Sequence, residues 1–297
     1  MQHDTASMED SPKSDDVTDP ISPDNTTVSD MPRGSVTEEK TCEGKIYNVK
    51  NYKTYYARHY FPPPKKSSSY QNILYTPNGI SYMTPRIDAE LTTGIIISHC
   101  NEKNIKYNDI IITDATTGLG GNTLSFAKLF QHVNAIEKEY ETYKILENNL
   151  REYGYSNVTL INDDFMNVYK SFHQHVIFID PPWGGKNYMK HKQLRLKMSD
   201  IDIEYLCGLL RNNIIVLKLP INYDFQYLLS ALSTLQVTSL KIDDDESQKI
   251  LMSLNDVSSL TDTSSNFQHE IMQYEYNITN IHIHRLKKMY IVVIMPL

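Results

Sequence analysis

Cysteine and tryptophan are scarce in this chain: 297 residues hold three cysteines and a single tryptophan. Cys42, Cys100 and Cys207 are too few and too far apart for a disulfide framework or a thiolate zinc cluster, so all three are expected to be reduced and structural. Long apolar runs are missing as well. No stretch approaches the roughly 20 apolar residues that cross a bilayer, and no basic segment leads into an apolar one near the amino-terminal end, so no membrane association is expected and the chain reads as soluble and intracellular. Positive charge is in deficit. Lys and Arg total 29 against 36 Asp and Glu, a net charge of −7, which excludes capture of nucleic acid by overall phosphate attraction and confines such contact to a local patch. Histidine pairs occur at His173 and His175 and at His282 and His284, each pair on one face of a strand. Neither has a third ligand near it in sequence, so no metal site is expected.

The amino-terminal part is compositionally distinct. Residues 1–45 are rich in Ser, Thr, Asp, Glu and Pro with few bulky apolar side chains, and they read as a disordered acidic tail. Residues 46–82 form an extension: a Tyr-rich, helical segment from Ile46 to Tyr60 ends at Pro62-Pro63-Pro64, followed by a Pro/Lys/Ser loop to Tyr70. From residue 83 to 297 a single domain is expected. Thr84 and Pro85 read as cap and first residue of a helix running to about His99.

Strand-like and helix-like segments then alternate. Strands are expected at 110–113, 133–136, 158–161, 176–179, 214–219 and 291–295, with a further one at 237–242; helices are expected at 124–130, 140–153 (ending at Gly154) and 201–210. Residues 243–267 read as an acidic, Ser-rich insertion. This alternation predicts an α/β fold, a mostly parallel seven-stranded sheet covered by helices on both faces.

The chemistry-bearing residues fall at successive strand ends. The first strand runs into Asp114-Ala115-Thr116-Thr117-Gly118-Leu119-Gly120-Gly121-Asn122-Thr123, a strand-to-helix turn whose glycines let the backbone approach a ligand. The third glycine of a dinucleotide fingerprint is missing, and Asp114 suits an ammonium better than a pyrophosphate. The second strand ends at Glu137, placed to accept ribose hydroxyls, and the third at Asp164-Phe165, a carboxylate and a ring for adenine. Converging on the crevice at the strand ends, these residues point to S-adenosylmethionine as cofactor. The fourth strand ends in Asp180-Pro181-Pro182-Trp183-Gly184-Gly185. Prolines remove backbone donors and leave acceptors facing outward beside a stacking ring, an arrangement suited to methyl transfer onto the exocyclic amine of a base. Lys186, Lys190, Lys192, Arg195 and Lys197 follow without an acid among them, a local basic patch.

From Tyr52 to Leu297 these residues resemble the RNA cap guanine-N2 methyltransferases. The likeness rests on Tyr55-Tyr56-Ala57-Arg58-His59-Tyr60, Thr84-Pro85, the Asp114–Thr123 loop, Asp164-Phe165, Pro181-Pro182-Trp183-Gly184-Gly185 with Tyr188 beyond it, and Asn212-Asn213-Ile214. It departs from the family pattern at Asp180 (commonly Ser), at Tyr82 (usually Ser) and at Lys186 (usually Pro). The resemblance implies a Rossmann-like class I methyltransferase with a short helical amino-terminal extension. Its substrate would be 7-methylguanosine-capped RNA, methylated at N2 from S-adenosylmethionine. Thr84, Asp114, Thr116, Gly118, Gly120, Asn122, Glu137, Asp164, Phe165 and Pro181 would hold the cofactor. Pro181 and Trp183 would be catalytic, with Trp183, Tyr188 and Arg58 binding the substrate; Asp180, where the family commonly has Ser, is expected to be catalytic from its own place beside the amine, and Lys186 to bind substrate as the first residue of the basic run. A monomer is expected, nuclear or nucleolar by the family's habit and cytoplasmic if the chain is viral. Asp180 also fits an enzyme methylating adenine N6 or an internal guanine N2 in RNA or DNA. A cap-binding module with a degenerate cofactor site would bind without transfer. A nicotinamide-dependent dehydrogenase is disfavoured by the glycine spacing.

Overall fold

Strand order shows how the predicted elements assemble. The computed structural model describes residues 45–49, 58–64, 70–233 and 280–296, all within one compact unit spanning 42–297. The acidic tail, the expected strand at 237–242 and the insertion at 243–267 lie outside the described residues.

The extension opens on a strand rather than on the expected helix. Strand β1 (Tyr47–Asn48) pairs antiparallel with β2 (Leu74–Tyr75), and residues 58–60 are helical. Helix α1 (Pro77–Tyr82) follows, with Thr76 accepting from the Gly79 N–H and Pro77 at its start. Helix α2 (Arg86–Glu102) begins one residue later than predicted. Pro85 occupies the cap position, and Thr84 does not cap the helix, because its hydroxyl is engaged elsewhere.

The alternating region then runs β3 (Ile111–Asp114), α3 (Gly121–Leu129), β4 (His132–Ile136), α4 (Tyr140–Tyr153), β5 (Val158–Ile161), α5 (Phe165–Val168), β6 (Val176–Ile179), β7 (Lys197–Met198), β8 (Ile201–Asp202), α6 (Ile203–Leu209), β9 (Ile214–Pro220), α7 (Phe225–Ser233), β10 (Ile281–Leu286) and β11 (Met289–Ile294). Helix α4 stops where Gly154 adopts φ +70°, a left-handed conformation that favours glycine.

Seven strands form the central sheet in the order β10-β11-β9-β6-β3-β4-β5. Strands β3, β4, β5, β6 and β9 are parallel, and β11 runs antiparallel to both neighbours. This is the mostly parallel seven-stranded sheet that the alternation of elements predicts. The seventh strand is Ile281–Leu286, read in the sequence only as a strand bearing a histidine pair. Strands β6 and β9 are buried along their whole length, as continuous apolar runs covered on both faces should be. After β5 the chain returns across β3 to build β6, so the sheet reverses direction beside β3, where open α/β sheets bind ligands.

An apolar cluster joins the extension to the elements that cover this sheet. Val49, Phe61, Ile73, Tyr75 and Ile80 pack with Leu119, Leu124, Leu146 and Leu150. The buried Asn149 side chain accepts from the Leu74 N–H at 2.8 Å and donates to the Leu74 carbonyl at 2.9 Å, satisfying an edge-strand backbone that would otherwise be orphaned. The extension therefore lies against Leu119, inside the glycine-rich turn. Among the described residues no helix is long and apolar enough to cross a membrane.

Candidate active site

The glycine-rich turn is clamped from beneath by its own acid. Asp114 is 1% exposed; its Oδ1 accepts from the Thr116 N–H at 3.3 Å and its Oδ2 from the Thr123 hydroxyl at 2.6 Å. Burial raises its pKa to about 7, with the Thr123 and Thr116 bonds pulling the other way. Gly118 and Gly120 take φ +53° and +92°. Helix α3 starts behind Gly120 with no side-chain cap, leaving its first N–H groups at the crevice.

Glu137, just past β4, is pinned to this turn: Oε2 accepts from the Gly118 N–H and Oε1 from the Glu139 N–H, both at 2.8 Å. Burial raises its pKa too. Asp164 caps α5 through the Met166 N–H at 2.9 Å, and its Oδ2 accepts from Ser199 at 2.6 Å and Lys138 at 3.0 Å. Phe165 is 2% exposed and packs among Ala115, Ile136 and Ile179. Its ring is a core ring, because residue 165 starts a helix whose first turn faces the core.

The substrate half is joined to the cofactor half by two hydrogen bonds through threonines. The Asp180 N–H donates to Thr116 Oγ1 at 2.9 Å, tying the end of β6 to the glycine-rich turn. Thr84 Oγ1 accepts from Asn122 Nδ2 at 2.9 Å and from Lys218 Nζ at 2.8 Å. Lys218 in turn reaches Asp180 Oδ2 at 2.5 Å, and its ammonium lies 5.1 Å from the centre of the Trp183 ring. Burial raises the Asp180 pKa, opposed by Lys218 and by the Trp183 indole, which faces the carboxylate without completing a hydrogen bond.

Trp183 is half-buried, Pro181 is buried, and Gly184 and Gly185 both have positive φ. Tyr188 meets Trp183 edge-on, ring centres 5.2 Å apart at 68°. The turn carrying Tyr188 is held by Asn222, whose Nδ2 donates to the Tyr188 carbonyl at 2.8 Å and the His191 carbonyl at 2.7 Å.

The basic patch is smaller than the sequence suggested. Arg195 pairs with Asp224 at 3.2 Å and stacks 3.5 Å over the Tyr227 ring, and Lys197 pairs with Asp202 at 3.5 Å. Lys190 and Lys192 are exposed, and the Lys186 side chain falls outside the described residues. Arg58 is exposed and meets α2, where its carbonyl accepts from Arg86 Nε at 3.4 Å.

Sequence reasoning passed over Lys218, although a lone lysine inside the run Ile-Ile-Val-Leu-Lys-Leu-Pro was a signal that something buried must neutralise it. It also passed over Asn222 and the bridging role of Thr116. Among the described residues, Thr117 Oγ1 and Asn122 Oδ1 are buried without a hydrogen-bond partner. Two orphaned acceptors in one glycine-rich turn fit a ligand bearing an ammonium, as S-adenosylmethionine does.

Residues 109–294 match the RNA cap guanine-N2 methyltransferase family. An uncharacterised protein of Acanthamoeba polyphaga mimivirus is 35% identical over 204 residues, 61% of this chain and 80% of the viral protein. The trimethylguanosine synthase of Schizosaccharomyces pombe is 38% identical over 85 residues, 26% of this chain and 35% of its own length. Among solved structures, an rRNA methylase from Streptococcus thermophilus is similar at 14% identity over 69% of this chain and 97% of its own, with a TM-score of 0.33. Since the matched segment runs from just before Asp114 to the end of the last sheet strand, the chain belongs to the RNA cap guanine-N2 methyltransferase family and is an S-adenosylmethionine-dependent methyltransferase.

Proposed function

We propose that this enzyme methylates the exocyclic N2 of 7-methylguanosine in RNA 5′ caps. The observation that carries the reading is the half-buried Trp183 ring beside the Asp180 carboxylate at the end of β6, joined through Thr116 to the cofactor turn.

S-adenosylmethionine, when bound, supplies an electrophilic methyl group. The orphaned Thr117 Oγ1 and Asn122 Oδ1, with Asp114, are the acceptors suited to its ammonium, and Glu137 to its ribose. The chain's remaining task is to position the amine. Its lone pair is delocalised into the base, so hydrogen-bond acceptors must hold the N–H groups while the nitrogen faces the methyl; most of the acceleration then comes from orientation. Asp180 and the Pro181 carbonyl are those acceptors, and Lys218 holds Asp180 in place and offsets part of the upward push that burial gives its pKa. A 7-methylated guanine is cationic and gains about 0.5–2 kcal/mol from stacking on Trp183, which unmethylated guanine cannot. Lys190 and Lys192 remain for the cap phosphates.

The domain reading follows the same lines, with residues 83–297 as the catalytic domain and 46–82 contributing to the substrate site. Two contacts support it. A Cβ on Gly79 of the extension would lie 2.7 Å from Leu119 in the cofactor turn, and one on Gly185 would lie 3.5 Å from the exposed Tyr82 hydroxyl.

The test is transfer of labelled methyl from S-adenosylmethionine to 7-methyl-GTP, with GTP and an adenine-containing oligonucleotide in parallel. Transfer confined to 7-methyl-GTP and lost in Trp183→Ala is expected. Activity on the oligonucleotide alone would transfer the reading to adenine N6.

A further inference from the structure

Three histidines and a glutamate meet far from the methyl-transfer crevice. His99 and Glu102 lie one turn apart at the end of α2, roughly 20 Å along the helix axis from its start beside Thr84. His282 and His284 lie on the same face of the edge strand β10, while Ile281 and Ile283 on its other face enter the core. The pairs are 185 residues apart in sequence, and the fold supplies the third ligand that sequence spacing lacks.

His99 is wholly buried, and its Nε2 lies 2.9 Å from Nε2 of His284, which fixes the orientation of the ring. Its other nitrogen, Nδ1, is aimed at Glu102 Oε1 at 3.1 Å, yet makes no hydrogen bond. A buried ring nitrogen left without a hydrogen bond beside a carboxylate oxygen is an arrangement that a cation between them would satisfy. The His282 ring packs against the same ring, centres 4.4 Å apart. One ligand atom from each of His99, Glu102 and His282 falls within 4.8 Å of the others. Ligand atoms on a tetrahedral zinc ion are separated by about 3.3 Å, given bonds of about 2.0–2.1 Å. The Nδ1 to Oε1 distance already matches that separation, and rotation of the partly exposed His282 ring closes the third side.

The geometry points to a binding site for a divalent transition-metal ion, zinc foremost, formed by His99, Glu102 and His282, with His284 as the positioning partner of His99. Two imidazoles and one carboxylate suit zinc, cobalt or nickel rather than calcium or magnesium, which prefer all-oxygen shells. The Glu102 side chain is 42% exposed, so the fourth position opens to water. The hydrogen bond between His99 and His284, in which His99 would donate once its Nδ1 held the ion, is the outer-sphere contact that metal-bound histidines ordinarily make through their second nitrogen. Such an ion would clasp the edge strand β10 to α2, and the proposal does not depend on which base the enzyme methylates.

The experiment uses full-length, tag-free protein stripped with chelator. ZnCl2 is titrated by calorimetry, and CoCl2 by the visible absorption of a tetrahedral cobalt site. Variants are Glu102→Gln, whose exposed position lets it fold normally, and His282→Ala, with His173→Ala as a control from the other pair. One equivalent of zinc, weakened roughly tenfold or more in Glu102→Gln and His282→Ala but not in His173→Ala, is the expected result. Absence of binding at micromolar zinc, or equal affinity in all four proteins, would overturn the site. Neither readout uses methyl transfer.

Discussion

The ammonium of Lys218 lies 2.5 Å from Asp180 Oδ2 and 2.8 Å from Thr84 Oγ1, so one buried lysine connects the end of the substrate strand to the start of α2. Both side chains of the ion pair are largely dry, 6% and 16% exposed. Removing one member of such a pair typically costs about 3–5 kcal/mol, since the other charge stays behind without a partner. Lys218→Met is therefore expected to destabilise the protein by about that amount. The loss should depend on pH. Burial holds the Asp180 pKa above its unfolded value and Lys218 opposes the shift, so without Lys218 the folded pKa rises further. An acid with a raised folded pKa contributes stability below its unfolded pKa and loses it as pH rises through the folded one. The destabilisation measured by urea unfolding should thus be larger at pH 8 than at pH 5, and Asp180→Asn should relieve part of it. A loss that is the same at both pH values would show that Asp180 is not the group left unpaired.

Gly121 sets how closely the cofactor turn approaches the start of α2. A Cβ there would lie 2.9 Å from the Thr84 carbonyl oxygen and 3.0 Å from its nitrogen, both backbone atoms that cannot rotate away. Gly121→Ala should push the two segments apart at a cost of about 1–3 kcal/mol. It should also displace Thr84 Oγ1 from Asn122 and Lys218, so methyl transfer should fall together with the denaturation midpoint. Unchanged stability with full activity would mean that the two segments move independently.

Most of the framework was legible because its signals are local. The amphipathic helix ending at Gly154, the apolar strands and the run of acids at their carboxyl ends depend on neighbours within a few residues, and they place the crevice. The residues that escaped are fixed at long range. Lys218 is explained by Asp180, 38 residues away, and Thr84, 134 residues away; His99 gains its partner from a strand 185 residues further on. Phe165 was read as a ring for adenine because it follows an acid at a strand end, and the direction of its side chain depends on α5 starting at that residue. Arg195 and Lys197 looked free in a run without acids, but Asp224 and Asp202 reach them through the turns that follow.

Asp164 is a helix cap as well as a candidate cofactor contact. Its carboxylate accepts from the Met166 N–H, Ser199 and Lys138. Against the upward push of burial, these bonds hold its pKa below the ordinary value. Stability from an acid with a lowered folded pKa is present above the unfolded pKa and lost as pH falls through the folded one. Asp164→Ala should therefore cost about 1 kcal/mol at neutral pH, and the difference from wild type should shrink as the pH falls below about 4. Thermal unfolding at pH 7 and pH 3.5 compares the two. A deficit that persists undiminished in acid would assign the loss to packing instead of the carboxylate.

Asp114 gives the sharpest pH test of the cofactor reading. Its burial, reinforced by the nearby Asp180 and Glu137 carboxylates, raises its pKa to about 7 despite hydrogen bonds from Thr123 and Thr116. In the free protein, stability from this group is fully present below its unfolded pKa and is lost as pH rises through about 7. An ammonium placed against the carboxylate favours the ionised form, so binding below that pKa must release a proton. Between pH 5.5 and 7 the ionised fraction grows roughly tenfold, while an α-amino group, with a pKa near about 7.7, stays mostly protonated. S-adenosylmethionine should therefore bind roughly tenfold more tightly at pH 7 than at pH 5.5. Calorimetry in two buffers of different ionisation enthalpy counts the proton directly. In Asp114→Asn the affinity should be weaker and flat across the same range. A flat profile in the wild type would remove Asp114 from the ammonium site and leave it as the clamp that Thr116 and Thr123 make of it.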